Sequence, residues 1–222
     1  MKNVFDLANE LNIRLRKSGI QFNSDGYPVF PKEMILSDPP DEIIPYYCRN
    51  QAQSPKEKTA ICFYTYDDRI YPRLFKLDED IPVYREYKGV CGLDLSPMIE
   101  WDIKLQKFNI LLSQMATIYI GLCGIKIIPN YRIGSLETID SLNSYPRNSM
   151  FAVGALGCAK GNRLVEYNKA YLSIKLTYTL YPNLLIYGSL RKEYKQILDD
   201  FNVNYKVFPD FQRSCRSRRN MI

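Results

Sequence analysis

The longest regular pattern of hydrophobic and polar positions lies between residues 101 and 122. Its apolar residues recur at alternating steps of four and three, which places them on one face of an α-helix. They are Trp101, Leu105, Phe108, Leu112, Met115, Tyr119 and Leu122. By the same count, the polar residues Asn109 and Gln114 fall largely on other faces. The pattern therefore predicts an amphipathic helix over residues 101–122.

Short apolar runs flank this helix on both sides, at residues 90–95 and 125–129. Because neither run alternates polar with apolar residues, both are typical of strands buried on both faces of a parallel sheet. Strand, helix and strand then form one right-handed crossover unit. The other predicted strands are 60–66, 150–156, 183–188 and 205–208, and the other predicted helices are 2–17, 136–142, 168–181 and 191–201.

The alternation of these elements predicts an α/β fold with a mainly parallel sheet of about six strands. The sheet closes as a partial, irregular barrel or stays open and doubly wound. We expect a single domain, with an N-terminal helix and irregular wrapping segment (1–58), an α/β core (59–209) and a basic tail (210–222). Residues 30–54 are predicted to be irregular, and residues 70–87 to contain at most a short helix because prolines interrupt them.

Composition limits the chemistry of the chain. Its 222 residues include no histidine, which excludes Ser-His-Asp and Cys-His catalysis and histidine metal sites. The six cysteines form no C-x-x-C pair, so we expect thiols and no zinc site. No dinucleotide fingerprint or P-loop is present.

No apolar run approaches the ~20 residues that span a bilayer, and the N-terminus does not have the pattern of a secretory signal. We therefore expect a cytoplasmic protein without a membrane segment.

Polar residues and glycines follow the predicted strands at their carboxyl ends, where α/β folds bind ligands. We interpret Asp94 as a general base or as a helix cap, and Arg132 as a phosphate clamp or as the partner of Asp94. Asp67 and Asp68 beside Asp94 predict a Mg²⁺ site if their strands are neighbours, because magnesium prefers oxygen ligands. The candidate ligand-binding residues are Ser96, Asn130, Arg132, Gly154 and Tyr187.

Several of these residues belong to a series of short motifs. The series consists of G-L-D-L-S at residues 92–96, I-I-P-N-Y-R at 127–132, F-A-V-G at 151–154 with Gly157, and L-I-Y-G at 185–188. In this order it resembles an uncharacterised domain family common in phage, prophage and other mobile-element genes of bacteria. The resemblance spans roughly residues 60–191. It implies a mobile-element setting, with the host cell's cytoplasm as the compartment, and no established reaction.

Three functions remain open at this point. The net charge of +6 and the 18 tyrosines favour a protein that binds nucleic acid or a nucleotide. The family resemblance favours an interaction protein that engages a host component such as a defence factor. The third possibility is a magnesium-dependent hydrolase or phosphodiesterase that uses Asp94.

Overall fold

The computed structural model describes residues 3–154 and 162–211, and side chains of the second range from residue 168 onward. The helices are α1 (Val4–Lys17), α2 (Asp67–Leu74), α3 (Leu77–Tyr84), α4 (Ile103–Leu122), α5 (Asn162–Tyr178) and α6 (Lys192–Asp200). The strands are β1 (Glu42–Pro45), β2 (Thr59–Cys62), β3 (Gly89–Cys91), β4 (Ile127–Ile128), β5 (Met150–Gly154), β6 (Asn183–Tyr187) and β7 (Asn204–Phe208). Residues 212–222 of the basic tail, and Gly157, lie outside the described residues.

The strands form two parallel sheets, one of four strands in the order β1-β2-β3-β4 and one of three in the order β5-β6-β7. A bridge at Asn130 and Ala152 joins them: Tyr131 N donates to Ala152 O at 2.8 Å, and Ala152 N donates to Pro129 O at 2.8 Å. Neighbouring strands follow the chain order throughout. A doubly wound sheet requires a reversal of that order, and the described strands contain none.

Helices and strands together confirm the α/β class. The sheet of about six strands is corrected to two sheets, of four and three strands. The additional strand, β1, lies in the segment predicted to be irregular. It has only four residues and ends at Pro45, so it carries no readable alternation. Parallel pairing with β2 stabilises it, and Glu42 accepts hydrogen bonds from the backbone of Gln53 and Ser54.

Residues 70–87 form more helix than predicted, because α2 and α3 each continue through an interior proline, Pro72 or Pro82. Proline removes one hydrogen bond from a helix. Burial of apolar side chains offsets that loss. The buried apolar side chains of the two helices are Ile70, Leu74, Leu77, Ile81 and Tyr84.

The expected single apolar face of α4 is wrong. The helix begins at Ile103, after Trp101, and Asp102 caps it by accepting a hydrogen bond from Lys104 N. Residues on several faces of the helix are buried, and four of them are polar. These buried polar residues are Gln106, Asn109, Gln114 and Thr117. Buried polar groups need partners. Gln106, Asn109 and Gln114 form hydrogen bonds to distant segments, which helical periodicity does not reveal, whereas Thr117 Oγ1 donates to Ser113 O one turn earlier in the helix.

Strand alternation divides the core into two clusters. Ala152 and Leu185 point into a cluster shared with β1–β4 and α1–α4. Phe151 and Leu184 point to the opposite face of the smaller sheet, into a cluster with residues of α5 and α6. Both faces of this sheet are therefore covered, as a parallel sheet requires. No helix in the described ranges has the length and apolar content needed to cross a membrane.

Candidate site at the carboxyl ends of the strands

Asp94 lies just beyond β3 and is 7% exposed. Arg132, beyond β4, donates from Nη1 to Asp94 Oδ2 at 2.7 Å. The pair confirms the alternative in which Arg132 binds Asp94 across neighbouring strand ends. Within the described residues, no other hydrogen bond reaches the carboxylate. Burial raises the pKa of Asp94, and the nearby Asp67 adds to that effect, while Arg132 opposes it.

Lys175 of α5 completes this centre, and sequence reasoning missed it. The side chain is 9% exposed. Nζ donates to Tyr131 O at 3.0 Å and lies 4.5 Å from the centroid of the Tyr131 ring. Burial and the charge of Arg132 lower the pKa of Lys175 to about 7, while Asp94 acts in the opposite direction. A lone lysine between Ile174 and Leu176 was the only signal in the sequence.

Asp67 and Ser96 form a separate cluster. Asp67 is the first residue of α2, and its carboxylate accepts hydrogen bonds from Ser96 N and Ser96 Oγ, each to Oδ1 at 3.1 Å. Asn109 Nδ2 donates to Ser96 O at 2.9 Å. These bonds tie the loop after β3 to the helices on either side. Asp68 is exposed on α2 and lies outside this cluster.

The carboxylates do not form the set that magnesium requires. Asp67 is bonded to Ser96, Asp68 points to solvent, and Asp94 is paired with Arg132. Within the described residues, no group of three or more Asp, Glu, Cys or His side chains is placed to hold a metal ion. The residues present therefore do not fit a resident Mg²⁺, and we derive no step through one.

Asn130 acts as a link between strands. Its Nδ2 donates to Gly92 O at 2.7 Å, and its Oδ1 accepts from Tyr64 Oη at 3.2 Å. A Cβ at Gly92 would lie 2.7 Å from Thr117 Oγ1 of α4, so only glycine allows this close approach. Asn130 and Gly92 thus hold β3, β4 and α4 together beneath Asp94.

Gly154 and Tyr187 meet Tyr64 rather than an open space. A Cβ on Gly154 would lie 2.7 Å from Tyr64 Cδ1. The rings of Tyr64 and Tyr187 stack with their centroids 5.4 Å apart. Phe211 N donates to the hydroxyl of Tyr187 at 2.9 Å, and burial raises the pKa of that hydroxyl. The contact joins Tyr64, which follows β2, to the last residue of β6, so it links the two sheets.

The space between Asp94, Arg132 and α4 is small. Gln114, Thr117 and Asn130 also line this cavity, which has a volume of about 20 Å³. That volume holds roughly one water molecule. A ligand that contacts Arg132 must therefore approach from the outer side, where the Arg132 side chain is 41% exposed.

The fold and site define an α/β protein with parallel sheets and a charged centre at the strand carboxyl ends. The model of the family described as Domain of unknown function (DUF4417) matches residues 14–206, and the chain belongs to that family. This confirms the expected uncharacterised domain family. Comparisons with curated proteins and with solved structures gave no match.

Proposed function

We propose that the carboxyl ends of the strands bind the phosphate backbone of a single-stranded nucleic acid. The supporting observation is that two cations lie near Asp94: Arg132 donates to its carboxylate, and the buried Lys175, which donates to Tyr131 O, is close enough for the charges of Asp94 and Arg132 to shift its pKa. Two cations against one anion leave a local positive charge whenever Lys175 is protonated. The pKa of Lys175 is about 7, so a phosphate that approaches favours the protonated amine and strengthens its own binding.

The size of the cavity favours a polymer over an enclosed nucleotide. A nucleotide site normally buries most of its ligand in a cleft of a few hundred Å³, whereas about 20 Å³ is present beside Asp94. A strand that lies across the surface needs only exposed contacts. Arg132 supplies a guanidinium that matches a phosphate.

Exposed aromatic rings near the same strand ends support the proposal. Tyr66 follows β2 and is 80% exposed, and Trp101 lies before α4 and is 39% exposed. Tyr47, after β1, is half exposed and has the Arg69 guanidinium 5.3 Å from its ring centroid. Aromatic rings that alternate with cations are typical of surfaces that stack the bases of single strands.

The test is a fluorescence-anisotropy titration with labelled 20-nucleotide DNA and RNA strands at several salt concentrations. We expect micromolar binding at low salt and a linear fall of log K with log salt. Arg132→Gln removes about one phosphate contact, so the salt slope decreases by about 1. Tyr66→Ala weakens binding by about 1–3 kcal/mol without changing the slope.

Arg85→Gln is the matched control. Arg85 precedes β3, and it donates one hydrogen bond, from Nη2 to Cys123 O at 3.3 Å. Arg85→Gln removes the same charge as Arg132→Gln, but near the amino end of β3. If Arg85→Gln and Arg132→Gln weaken binding equally, only the overall charge matters and the proposed site is rejected. Absence of binding by the wild-type protein at low salt rejects the function itself.

The shifted pKa values of Asp94 and Lys175 support a second proposal. In this proposal the protein is a hydrolase in which Asp94 takes a proton and Lys175 stabilises developing negative charge. Burial shifts the pKa of Asp94 upward and that of Lys175 downward, as is common for acid–base residues. Cleavage of a labelled strand during the titration, lost in Asp94→Asn while binding persists, distinguishes this function.

An apolar surface near the site supports the third proposal, a protein partner from a bacterial host. Met98, Ile99, Trp101 and Leu105 are all about 40% exposed or more, and exposed apolar groups of this kind mark interaction surfaces. The phage or mobile-element setting that the family resemblance implies fits such a partner. Pull-down with wild type and Trp101→Ala tests it, and recovery of the same proteins by both rejects this surface.

Closure of the two sheets into a partial barrel also remains a proposal. Its support is the Tyr64–Tyr187 stack together with a hydrogen bond from Lys206 Nζ of β7 to Pro40 O, just before β1, at 2.7 Å. No pairing between β1 and β7 is present among the described strands.

A further inference from the structure

A larger cavity lies at the opposite end of the strands. Its volume is about 420 Å³, and it lies between the amino ends of β5–β7 and the segment around residues 32–39. Cavities that hold small molecules in proteins have volumes of roughly 300–1,000 Å³. This space is thus large enough for a small ligand, unlike the cavity beside Asp94.

Strand register determines which side chains face the cavity. Met150, Asn183 and Asn204 are direct neighbours across β5, β6 and β7, and Leu185 pairs with Lys206 two residues further along. Met150 and Leu185 belong to the core cluster shared with the larger sheet. Since paired residues of parallel strands point to the same face, the two asparagines and Lys206 also point to that side.

The cavity has a polar wall and an apolar wall. Asn183, Asn204 and Lys206 supply amides and an ammonium group, while Ile35 and Leu36 of the facing segment are apolar and buried. Lys206 Nζ is held in place by its hydrogen bond to Pro40 O. Among the described residues that line the cavity, two are lysines, Lys32 and Lys206, and none is a carboxylate.

We propose that this cavity binds a small amphiphilic anion, with the anionic group at Lys206 and the two asparagines and the apolar part against Ile35, Leu36 and Met150. The asparagine side chains donate hydrogen bonds that suit a carboxylate or a phosphate. The apolar wall removes a short hydrocarbon chain from water. This site is independent of the proposed nucleic-acid surface, because it lies at the other end of the sheet.

The experiment is isothermal titration of the full chain with three probes of equal chain length: octanoate, octyl phosphate and 1-octanol. We expect saturable binding of at least one anion and binding about tenfold weaker, or none, for the neutral alcohol. Comparison of octanoate with octyl phosphate identifies the preferred anionic group. Lys206→Gln should weaken anion binding about tenfold, the value of one hydrogen bond to a charged group, and leave the alcohol unchanged.

Two further variants make the result decisive. Lys195→Gln removes a lysine from α6 whose side chain is 59% exposed, and it should bind the anions like wild type. Asn183→Leu keeps the branched shape and the number of non-hydrogen atoms of the side chain and removes the amide, so it should weaken binding of the anions and retain binding of the alcohol. Three results would each overturn the proposal. They are equal affinity for the alcohol and the anions, no saturable binding of either anion, and an unchanged affinity of Lys206→Gln for the anions. Arg132→Gln, which tests the nucleic-acid surface, should not change any of these titrations.

Discussion

Among the described residues, two buried aspartates, Asp80 and Asp94, are paired with arginines, and the two pairs differ in their hydrogen bonding. Asp80 of α3 is 5% exposed and accepts bonds from Arg73 Nη1 at 3.0 and 3.1 Å, from Tyr46 Oη at 2.7 Å and from Tyr84 Oη at 3.3 Å. Asp94 is almost as buried, at 7%. Within the described residues, it accepts a single bond, from Arg132 Nη1.

This difference separates a structural pair from a candidate functional one. A buried carboxylate costs several kcal/mol to desolvate, and a full set of hydrogen bonds offsets that cost. Asp80 has such a set, and it joins α2, α3 and the segment after β1. The partner of Asp94 is Arg132, whose side chain is 41% exposed, and the pKa of the neighbouring Lys175 is lowered. For that reason the proposed nucleic-acid contact is placed at the Asp94 centre and not at Asp80.

The largest expected effect is the loss of stability in Asp80→Asn. The substitution leaves the Arg73 guanidinium, whose side chain is 23% exposed, without its counter-ion in a partly buried position. We expect the free energy of unfolding to fall by about 3–5 kcal/mol, measured by urea denaturation at pH 7. Glu79→Gln, at an exposed acid on the same helix, should change it by less than about 0.5 kcal/mol. A small effect of Asp80→Asn would remove the distinction between the pairs.

Lys175→Met should stabilise the protein. Replacing a buried charge by an apolar side chain of similar size typically gains about 1–4 kcal/mol, and we expect about 2 kcal/mol at pH 7. The lowered pKa makes wild-type stability greatest above the ordinary amine pKa of 10.5 and progressively smaller as pH falls towards about 7. Urea titrations between pH 7 and pH 10 should show this slope in wild type and its loss in Lys175→Met. Persistence of the slope in the variant would assign it to another group.

Tyr46→Phe removes a hydroxyl that serves both members of the structural pair. The hydroxyl donates to Asp80 at 2.7 Å and accepts from Arg73 Nη1 at 3.1 Å. We expect a loss of about 1.5 kcal/mol, the lower end of the range for hydrogen bonds to charged groups. Tyr205→Phe is the control, because its hydroxyl bonds the exposed Asp199, and its effect should be close to zero. Equal losses in the two variants would show that the Asp80 network adds nothing to an exposed bond.

The smallest expected effect on stability is that of Asp94→Asn, within about 1 kcal/mol of wild type at pH 7. Because the pKa of Asp94 is raised in the folded protein, the contribution of Asp94 to stability is complete below the ordinary pKa of 3.8. That contribution is lost as the pH rises through the pKa that Asp94 has in the folded protein. An asparagine does not titrate. The variant should therefore gain stability relative to wild type as pH rises from 4 to 7, measured by urea denaturation. A loss as large as that of Asp80→Asn would make Asp94 a structural residue.

Much of the fold was predictable because it depends on neighbours in the chain. Apolar runs between glycines and prolines identified β3, β5 and β6, and the long periodic segment identified α4. The short strand β1 and the helices α2 and α3 were missed or underestimated. Their stability comes from packing and pairing with distant segments, which overrides the local effect of Pro45, Pro72 and Pro82.

The candidate site was predictable in part for the same reason. Asp94 and Arg132 follow adjacent parallel strands, so strand direction alone brings them to one end of the sheet. Asp67 also lies there, but its hydrogen bonds to Ser96 make it part of the loop structure. Gly154 and Tyr187 pack against Tyr64, a contact between the two sheets that the order of elements along the chain does not reveal.

The sequence by itself determined the kinds of element, the common direction of the strands and the exclusion of histidine chemistry. Those properties follow from local periodicity, from crossover handedness and from composition. Only the tertiary structure decided the partners: Lys175 against Tyr131 O, Asp80 within four hydrogen bonds, and a cavity of about 420 Å³ at the amino ends of β5–β7. The physical reason is that hydrogen bonds and cavities depend on how distant segments pack, and the spacing of residues along the chain does not contain that information.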